Sequence, residues 1–362
     1  MKRAVQASAL VAILAMVAVA CGGGKKAGAS THVCYASDTG GVDDKSFNQK
    51  IHNGFLRAEK ELGIKYTFVQ STSAADYAPI LLNFVNQDCA LIAPAGFNFG
   101  PATVESAKAN PDQKYAIFDY DIFDFSDPAN PKDVTLPNVR ELTYQTDQAA
   151  FLAGYLAAGM TKTGKVATYG GVLFPTVTIF MNGFSAGVRS YNQDNSTSVE
   201  VLGWNPETQE GTQISPDPAV GFDNAAEGRR VAEDFINEGA DIILPVAGPT
   251  GLGTVAAAQD AGGVMLIWVD DDGCVSAESC PLFLTSVLKF LDNSAFNTTQ
   301  DIIKGTFTPG LYVGTLENEG VGLAPYHEFD STIPQALKDK IEELKKGIID
   351  GSVSVIPTDY PA

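Results

Sequence analysis

Short apolar runs alternate with amphipathic segments along most of the chain, a pattern typical of strands that alternate with helices. In the first half, runs rich in β-branched and aromatic residues predict strands at 32–37, 65–70, 89–94, 115–118 and 139–143. Helical periodicity predicts helices at about 46–62, 78–87, 103–109 and 147–160, with Ser46 as the N-cap of the first. Because the strands are continuously apolar instead of alternating, we predict a parallel sheet covered by helices on both faces.

The second half repeats this scheme. Strands are predicted at 165–169, 198–203, 241–245 and 264–268, and helices at about 176–191, 225–238, 251–261, 288–303 and 333–349. Residues 205–220 show no periodicity and contain Pro, Gly, Asp and Glu, which predicts an exposed loop. The two halves indicate an α/β protein with two doubly wound lobes. Ligands of such sheets bind at the carboxyl ends of strands, where Asp38, Asp119, Trp204 and Asp270 are found.

The N-terminus has the pattern of an export signal. Lys2 and Arg3 precede a 12-residue apolar run at 9–20, which is shorter than the about 20 residues that a membrane-spanning helix needs. Small residues then precede Cys21, as in a bacterial lipobox, although an ordinary secretory cleavage site has the same small residues. We predict a signal peptide at 1–20, lipidation at Cys21 and a Gly/Ser-rich tether at 21–30. The protein would then be anchored to the outer face of the bacterial cell membrane.

Acidic residues outnumber basic ones by 43 to 24, and the formal net charge is −19. Cleavage after residue 20 would remove two cations and no acid, which changes the net charge to −21. This charge argues against binding to the phosphate backbone of nucleic acids, which requires clustered cations. It also argues against electrostatic attraction to an anionic membrane surface. We therefore expect no nucleic-acid partner.

Four cysteines follow the predicted signal peptide: Cys34, Cys89, Cys274 and Cys280. An exported protein reaches a compartment that permits disulfides, and four cysteines allow three pairings. Cys274 and Cys280 flank a five-residue loop and are the easiest pair to close, which leaves Cys34 with Cys89. Four free thiols are the alternative.

The sequence offers little to a metal or a cofactor. His32, His52 and His327 lie far apart, with no Cys or Glu at zinc-binding spacing. The acidic residues at 270–272 lack the spacing of an EF-hand loop, and the glycine-rich segment 248–253 lacks the Gly-Lys-Ser/Thr ending of a P-loop. We predict no metal, no cofactor and no catalytic residues.

Three blocks of sequence resemble one known family. Residues 38–49 read Asp-Thr-Gly-Gly-Val-Asp-Asp-Lys-Ser-Phe-Asn-Gln, which is similar to the signature of the basic membrane protein family. These are the PnrA-like nucleoside-binding lipoproteins of bacterial ABC importers. Further matches are found at 154–166, 170–171 and 180–187, and then at 246–251, 269–272 and 284–289. The blocks occur in the family's order and span nearly all of the chain after residue 30.

The resemblance implies a type I periplasmic-binding-protein fold, in which two lobes are joined by three crossovers and enclose a ligand cleft. The N-terminal lobe would contain residues 31–145 and about 286–312. The C-terminal lobe would contain residues 146–285 and about 313–362.

The resemblance also implies a set of ligand-binding residues. Phe47 would stack on one face of the base, with Asn48 nearby, and Trp204 would stack on the other face. Asp38 would lie at the base, while Asp119 and Asp270 would bind the ribose hydroxyls. Lys289 would reach the ligand from the returning segment, and Phe180 and Gly248 would form walls.

We therefore predict a monomeric substrate-binding lipoprotein that captures a nucleoside, with a purine nucleoside as the first expectation. It would pass the ligand to an ABC permease whose ATPase is a separate chain. Ribose-facing carboxylates could alternatively serve an exported nucleoside hydrolase or phosphorylase as general bases. A G-x-S-x-G pattern occurs at 183–187, but it lies within the helix predicted at 176–191 and not at the strand-to-helix turn that presents a nucleophilic serine, so it does not favour that alternative. A sensory lipoprotein with the same cleft is a third hypothesis.

Overall fold

The computed structural model describes residues 31–124 and 132–355. The predicted signal peptide (1–20), the lipidation site Cys21, the tether (21–30) and residues 356–362 of the predicted C-terminal lobe lie outside this part of the chain. The strands, in chain order, are β1 (His32–Ser37), β2 (Lys65–Gln70), β3 (Leu91–Pro94), β4 (Tyr115–Phe118), β5 (Phe123–Asp124), β6 (Lys132–Asp133), β7 (Val139–Tyr144), β8 (Lys165–Gly170), β9 (Glu200–Leu202), β10 (Trp204–Asn205), β11 (Glu210–Gly211), β12 (Ile242–Val246), β13 (Met265–Asp270), β14 (Phe283–Lys289), β15 (Gly310–Gly314) and β16 (Val321–Leu323).

The helices lie between the strands of the main sheets and pack on them. In chain order they are α1 (Phe47–Leu62), α2 (Tyr77–Asn86), α3 (Gly100–Ala109), α4 (Thr146–Met160), α5 (Pro175–Asn195), α6 (Pro218–Gly221), α7 (Ala225–Asn237), α8 (Gly251–Ala261), α9 (Gly273–Ser276), α10 (Leu291–Lys304) and α11 (Gln335–Ile349). Helix α1 ends where Gly63 takes a left-handed conformation with a φ of 69°, and its N–H donates to the carbonyl of Glu59.

Two six-stranded sheets form the centres of two lobes. The first has the strand order β15-β7-β4-β3-β1-β2, and all its strand pairs are parallel. The second has the order β16-β14-β13-β12-β8-β9 and is parallel except for β16, which pairs antiparallel with β14. In both sheets the earliest strand lies inside the sheet, so successive strands are added on both sides of it. This arrangement confirms the prediction of two doubly wound lobes.

In the described part of the chain, three connections join the two sheets. The chain leaves the first sheet after β7, returns after β14 and leaves again after β15. Strand β14 was missed by the sequence analysis, which predicted a helix from 288. All seven of its residues are buried, but Thr285, Ser286 and Lys289 are polar, so they interrupt the continuous apolar run that marks the other buried strands. In the structure, β14 of the second sheet ends at Lys289 and β15 of the first sheet ends at Gly314, so the two later connections follow these residues.

Glycines in the second matching block allow α4 and α5 to pack closely. A Cβ atom on Gly154 would collide with the carbonyl oxygen of Phe184, and one on Gly187 would collide with that of Phe151. Both helices belong to the second lobe, where α4 also packs against α11. We conclude that Gly154 and Gly187 serve helix packing.

Two disulfides stabilise loops of the structure. Cys34 of β1 is joined to Cys89, just before β3, with 5.9 Å between their Cα atoms. Cys274 of α9 is joined to Cys280, with 4.0 Å between their Cα atoms. The first disulfide connects two segments of the first lobe, and the second closes a short loop in the second lobe.

Candidate ligand-binding cleft

Five of the predicted site residues lie at the carboxyl ends of parallel strands. Asp38 follows β1, Asp119 follows β4, Gly248 comes two residues after β12, Asp270 ends β13 and Lys289 ends β14. Two of these strands belong to the first sheet and three to the second. The carboxyl ends of strands in a doubly wound sheet meet at one edge, where ligands bind.

A buried lysine joins the two lobes at this edge. The Lys289 ammonium contacts the carboxylate of Asp119. It also lies 3.6 Å from Oδ1 of Asp270. All three side chains are buried, and the two acids come from different sheets. We call Lys289, Asp119 and Asp270 the ion cluster.

The charges in the ion cluster depend on one another. Burial disfavours the Lys289 ammonium, but Asp119 and Asp270 outweigh this effect and raise the pKa of Lys289 above its ordinary value. Burial raises the pKa of Asp119 to about 6 against the opposing pull of Lys289. Lys289 therefore remains charged at neutral pH.

Both acids of the ion cluster have a backbone conformation that non-glycine residues rarely adopt. The φ of Asp119 is 58° and that of Asp270 is 66°, both in the left-handed region. Such residues cost of order 1–3 kcal/mol each and are concentrated at binding sites. The positive φ turns the backbone as each strand ends, at the point where the carboxylate meets Lys289.

Three aromatic rings surround the Lys289 ammonium. Its Nζ lies 5.1 Å from the ring centroid of Phe180, 5.4 Å from that of Phe47 and 5.8 Å from that of Tyr144. Phe47 begins α1 in the first lobe and Phe180 belongs to α5 in the second. The aromatic faces therefore come from both sides of the cleft, at distances that permit cation–π attraction.

Asn48 supports the site from inside the first lobe. Its Nδ2 donates to Asp38 at 2.7 Å and to Asp44 at 3.0 Å. Its Oδ1 accepts a hydrogen bond from the Tyr35 hydroxyl at 3.0 Å. Both amide protons are thus used within the protein and the side chain is buried. This geometry gives Asn48 the role of orienting Asp38.

The start of α1 differs from the prediction that Ser46 caps the helix. The Asp44 carboxylate accepts the backbone N–H groups of Ser46, Asn48 and Gln49 instead. The Ser46 hydroxyl donates across the cleft, to Oδ2 of Asp270 at 2.8 Å and to the Val269 carbonyl at 3.2 Å. The Asp44 carboxylate, two residues earlier, satisfies the backbone N–H groups of the first turn and leaves the Ser46 hydroxyl to join the lobes.

Further contacts hold the two lobes together. The indole N–H of Trp268 donates to the carbonyl of Lys45 at 3.0 Å, and Lys50 forms an ion pair with Asp271 at 2.8 Å. Near the other strand ends, the ring of Phe97 stacks on that of Phe174 with centroids 4.8 Å apart. The structure thus has its lobes closed around the ion cluster.

A protein-family model described as "ABC transporter substrate-binding protein PnrA-like" matches residues 32–357. The chain belongs to this family. The resemblance that the sequence motifs indicate is therefore confirmed.

Relatives of the chain match it over most of their length. A CD4+ T-cell-stimulating antigen of Listeria innocua is 31% identical over 384 residues, covering 98% of this chain and 99% of the relative. The ABC transporter nucleoside-binding protein BmpA of Lactococcus lactis is 28% identical over 379 residues, again covering 98% of this chain and 99% of the relative.

Solved structures share the fold. A solute-binding protein of an ABC transporter system from Aeropyrum pernix has a TM-score of 0.77 at 25% identity, covering 90% of this chain and 94% of its own. A periplasmic solute-binding protein from Actinobacillus succinogenes, with bound D-allose, has a TM-score of 0.60 at 11% identity. The match covers 83% of this chain and 100% of the chain of that structure. These similarities confirm the type I periplasmic-binding-protein fold.

Membership of the PnrA-like family makes this protein a substrate-binding protein of an ABC transporter. Proteins of this kind work outside the cytoplasm and deliver their ligand to a membrane permease. Among the residues that the structure describes, no helix has the length and apolarity needed to cross a membrane.

Trp204 does not join the group that surrounds Lys289. It lies on β10, which forms a hairpin with β11 inside the segment predicted as a loop, and its indole N–H donates to Asn182 at 2.9 Å. Asn182 and Phe180 are two residues apart on α5, so their side chains diverge by about 200° around the helix. Phe180, on the other side of the helix, is the second-lobe ring beside Lys289.

Gly248 lies apart from the described contacts of the ion cluster. It has a φ of 53°, and a Cβ atom there would meet no atom within 4 Å. The position therefore faces open space beside the carboxyl end of β12, as a wall of a cleft would.

Two residues of the site were missed by the sequence analysis. Tyr144 is the last residue of β7, a position equivalent to that of Lys289 in β14. Ser46 lies within the first matching block and was interpreted only as a helix cap. The position of Tyr144 at a strand end was the available signal for the first, whereas the interlobe role of Ser46 required the fold.

Two groupings of potential metal ligands are found among the described residues, and each contains two cysteines and a histidine. They are His32 with Cys34 and Cys89, and His327 with Cys274 and Cys280. In both, the cysteines are joined to each other, so no thiolate is available to a metal.

Proposed function

We propose that this protein captures nucleosides, with purine nucleosides as the first candidates, and delivers them to an ABC permease that has a separate ATPase. The observation that carries the proposal is the meeting of two aromatic rings and two carboxylates around Lys289, with one ring and one carboxylate from each lobe. A relative, BmpA of Lactococcus lactis, is named a nucleoside-binding protein.

The base would stack between Phe47 and Phe180. Their centroids both lie within 5.4 Å of the Lys289 ammonium, and they come from opposite lobes. Stacking on an aromatic side chain contributes about 1–3 kcal/mol per base and does not depend on the identity of the base. Asp38, oriented by Asn48, would accept a hydrogen bond from the edge of the base.

The ribose hydroxyls would bind Asp119 and Asp270. Oδ1 of Asp270 is buried and lies 3.6 Å from the Lys289 ammonium, which is longer than a hydrogen bond, and it accepts no hydrogen bond from any residue that the structure describes. A buried carboxylate oxygen without a donor is costly, and a hydroxyl of the ligand would supply that donor. The ligand would in this way complete the ion cluster instead of disrupting it.

A nucleoside monophosphate would bind poorly. Its phosphate would come near two carboxylates in a site from which closed lobes exclude water, where repulsion between like charges is poorly screened. The single positive charge of Lys289 is already shared by Asp119 and Asp270.

We further propose that the protein is a monomer attached to the outer face of the cell membrane through lipid on Cys21. A Cys21→Ser variant should appear in the aqueous phase of a detergent phase separation, whereas the unchanged protein should partition with detergent. Recovery of both forms in the aqueous phase would contradict the anchor.

The proposed ligand can be tested in two steps. Mass spectrometry of small molecules released from natively purified protein should detect a nucleoside. Calorimetry should then show that adenosine, inosine or guanosine binds at least a hundredfold more tightly than its 5′-monophosphate. Equal affinities for a nucleoside and its monophosphate would contradict the proposal, as would the release of free base during incubation with inosine.

A further inference from the structure

A second feature of the cleft is an apolar cavity of about 440 Å³ that adjoins Asp119. Its walls come from both lobes and include Tyr120, Tyr144, Leu311, Val313, Pro175 and Ile179. The first four belong to the first lobe, and the last two to the start of α5 in the second.

The cavity is continuous with the ion cluster. Asp119 lines it and also contacts Lys289. Tyr144 lines it as well, and its ring lies 5.8 Å from the Lys289 ammonium. A ligand group bound to Asp119 would therefore be at the inner end of the cavity.

The walls of the cavity favour an uncharged, apolar occupant. Leu311, which lies in β15 of the first sheet, is one of the apolar residues of these walls, and its side chain is 48% exposed. Small-molecule sites are typically apolar clefts of about 300–1,000 Å³ with a few polar groups that fix the orientation of the ligand. Here Asp119 and Asp121 are the acidic groups, and both would repel an anion.

We propose that this cavity holds an apolar substituent on the ribose of the ligand, so that the protein binds nucleosides whose 5′-hydroxyl is replaced by an apolar group, for which 5′-thioethers serve as probes. This inference rests on the proposed function. If the two carboxylates hold the vicinal hydroxyls and the two rings hold the base, the 5′ carbon is the part of the ribose that remains free to carry a group into the cavity. Each methylene buried there should tighten binding by about fourfold.

Calorimetry with adenosine, inosine and guanosine, and with their 5′-deoxy-5′-methylthio and 5′-deoxy-5′-butylthio derivatives, tests this inference. We expect the methylthio compound to bind at least as tightly as its parent nucleoside, and the butylthio compound to bind at least fivefold more tightly than the methylthio compound. If the parents bind and the thioethers bind more than tenfold more weakly, the inference is wrong and the proposed function stands. If neither parents nor thioethers bind, both are wrong.

Two variants locate the substituent. Leu311→Trp fills the cavity from its exposed wall and should weaken butylthio binding at least tenfold while parent binding changes less than twofold. Leu311→Gln keeps the size of the side chain but makes it polar, and should remove most of the gain from the butyl chain. Leu82→Trp, at a 58% exposed position on α2, is the matched control and should change neither affinity. Equal losses for parent and thioether in both Leu311 variants would overturn the assignment of the cavity.

Discussion

Asp119 and Asp270 occupy equivalent places in the two lobes: each lies at the end of a strand with a positive φ, and each faces the Lys289 ammonium. The two carboxylates therefore depend on a single cation. Lys289→Met would leave two acids buried together, and breaking a buried ion pair costs about 3–5 kcal/mol. We expect the free energy of unfolding to fall by this amount at pH 8 and nucleoside binding to be lost.

The pH dependence of that loss identifies its cause. Without Lys289 the pKa of Asp119 should rise further above about 6, because Lys289 is the group that opposes the effect of burial. In the Lys289→Met variant, Asp119 would then be neutral at pH 5. The loss in the free energy of unfolding, measured by urea unfolding, should therefore be smaller at pH 5 than at pH 8. A loss that is the same at both pH values would contradict the role of the buried charge. Lys289→Arg, which keeps the charge, is the control.

The two rings should contribute to affinity separately from Trp204. Phe47→Ala and Phe180→Ala should each weaken nucleoside binding by about 1–3 kcal/mol, because each removes one face of the base stack. Trp204→Phe should change the affinity less than threefold, since the indole bonds to Asn182 away from the ion cluster. Calorimetry measures all three variants. A large loss in Trp204→Phe, with none in Phe180→Ala, would restore Trp204 as the stacking residue.

The Ser46 hydroxyl should stabilise the closed form. A hydrogen bond to a charged group contributes about 1.5–3 kcal/mol, so Ser46→Ala should weaken nucleoside binding by at least about tenfold. Lys50→Met removes the ion pair to Asp271 without altering Asp270, and should weaken binding in the same direction. Ser106→Ala is the control, because Ser106 bonds to Tyr115 within one lobe. Unchanged affinity in both cleft variants would show that these contacts do not govern closure.

Asp147 should lower stability at neutral pH. It is buried in the first turn of α4, its Oδ1 has no hydrogen-bond partner among the described residues, and burial raises its pKa to about 6. The folded state thus binds a proton more tightly than the unfolded state, and the resulting penalty grows as the pH rises from about 4 to above 6. The penalty reaches up to about 3 kcal/mol.

Asp147→Asn removes that penalty. We expect the variant to be more stable than the unchanged protein by about 1–3 kcal/mol at pH 8 and to differ little from it at pH 4. Urea unfolding at both pH values measures the difference. A variant that is less stable at pH 8 would mean that the carboxylate has a favourable partner in the folded protein.

The sequence predicted the framework of the cleft because strand ends are marked locally. The strands at 32–37, 65–70 and 115–118 agree with the structure to the residue, since each is a β-rich run closed by a polar residue. Strand β14 could not be predicted in this way, because the buried polar residues Thr285, Ser286 and Lys289 break up its apolar run. Asp119 and Asp270 were identified for the same local reason, as acids at strand ends.

The parts that were not predicted depend on contacts between distant segments. Ser46 and Asp270 are 224 positions apart, and no local pattern reveals that their side chains meet. That Phe180 and not Trp204 lies beside Lys289 depends on which side of α5 faces the cleft. That orientation is determined by the glycine-mediated packing of α5 on α4, which becomes apparent only in the folded protein.

Because the ion cluster takes one acid from each lobe, neither lobe contains a complete site. Measured affinity is then the product of two quantities: the fraction of molecules that have closed and the intrinsic affinity of the closed form. A substitution in a crossover, far from any ligand atom, should change the apparent dissociation constant of every ligand by the same factor. A substitution in the cleft should instead change the ranking of ligands.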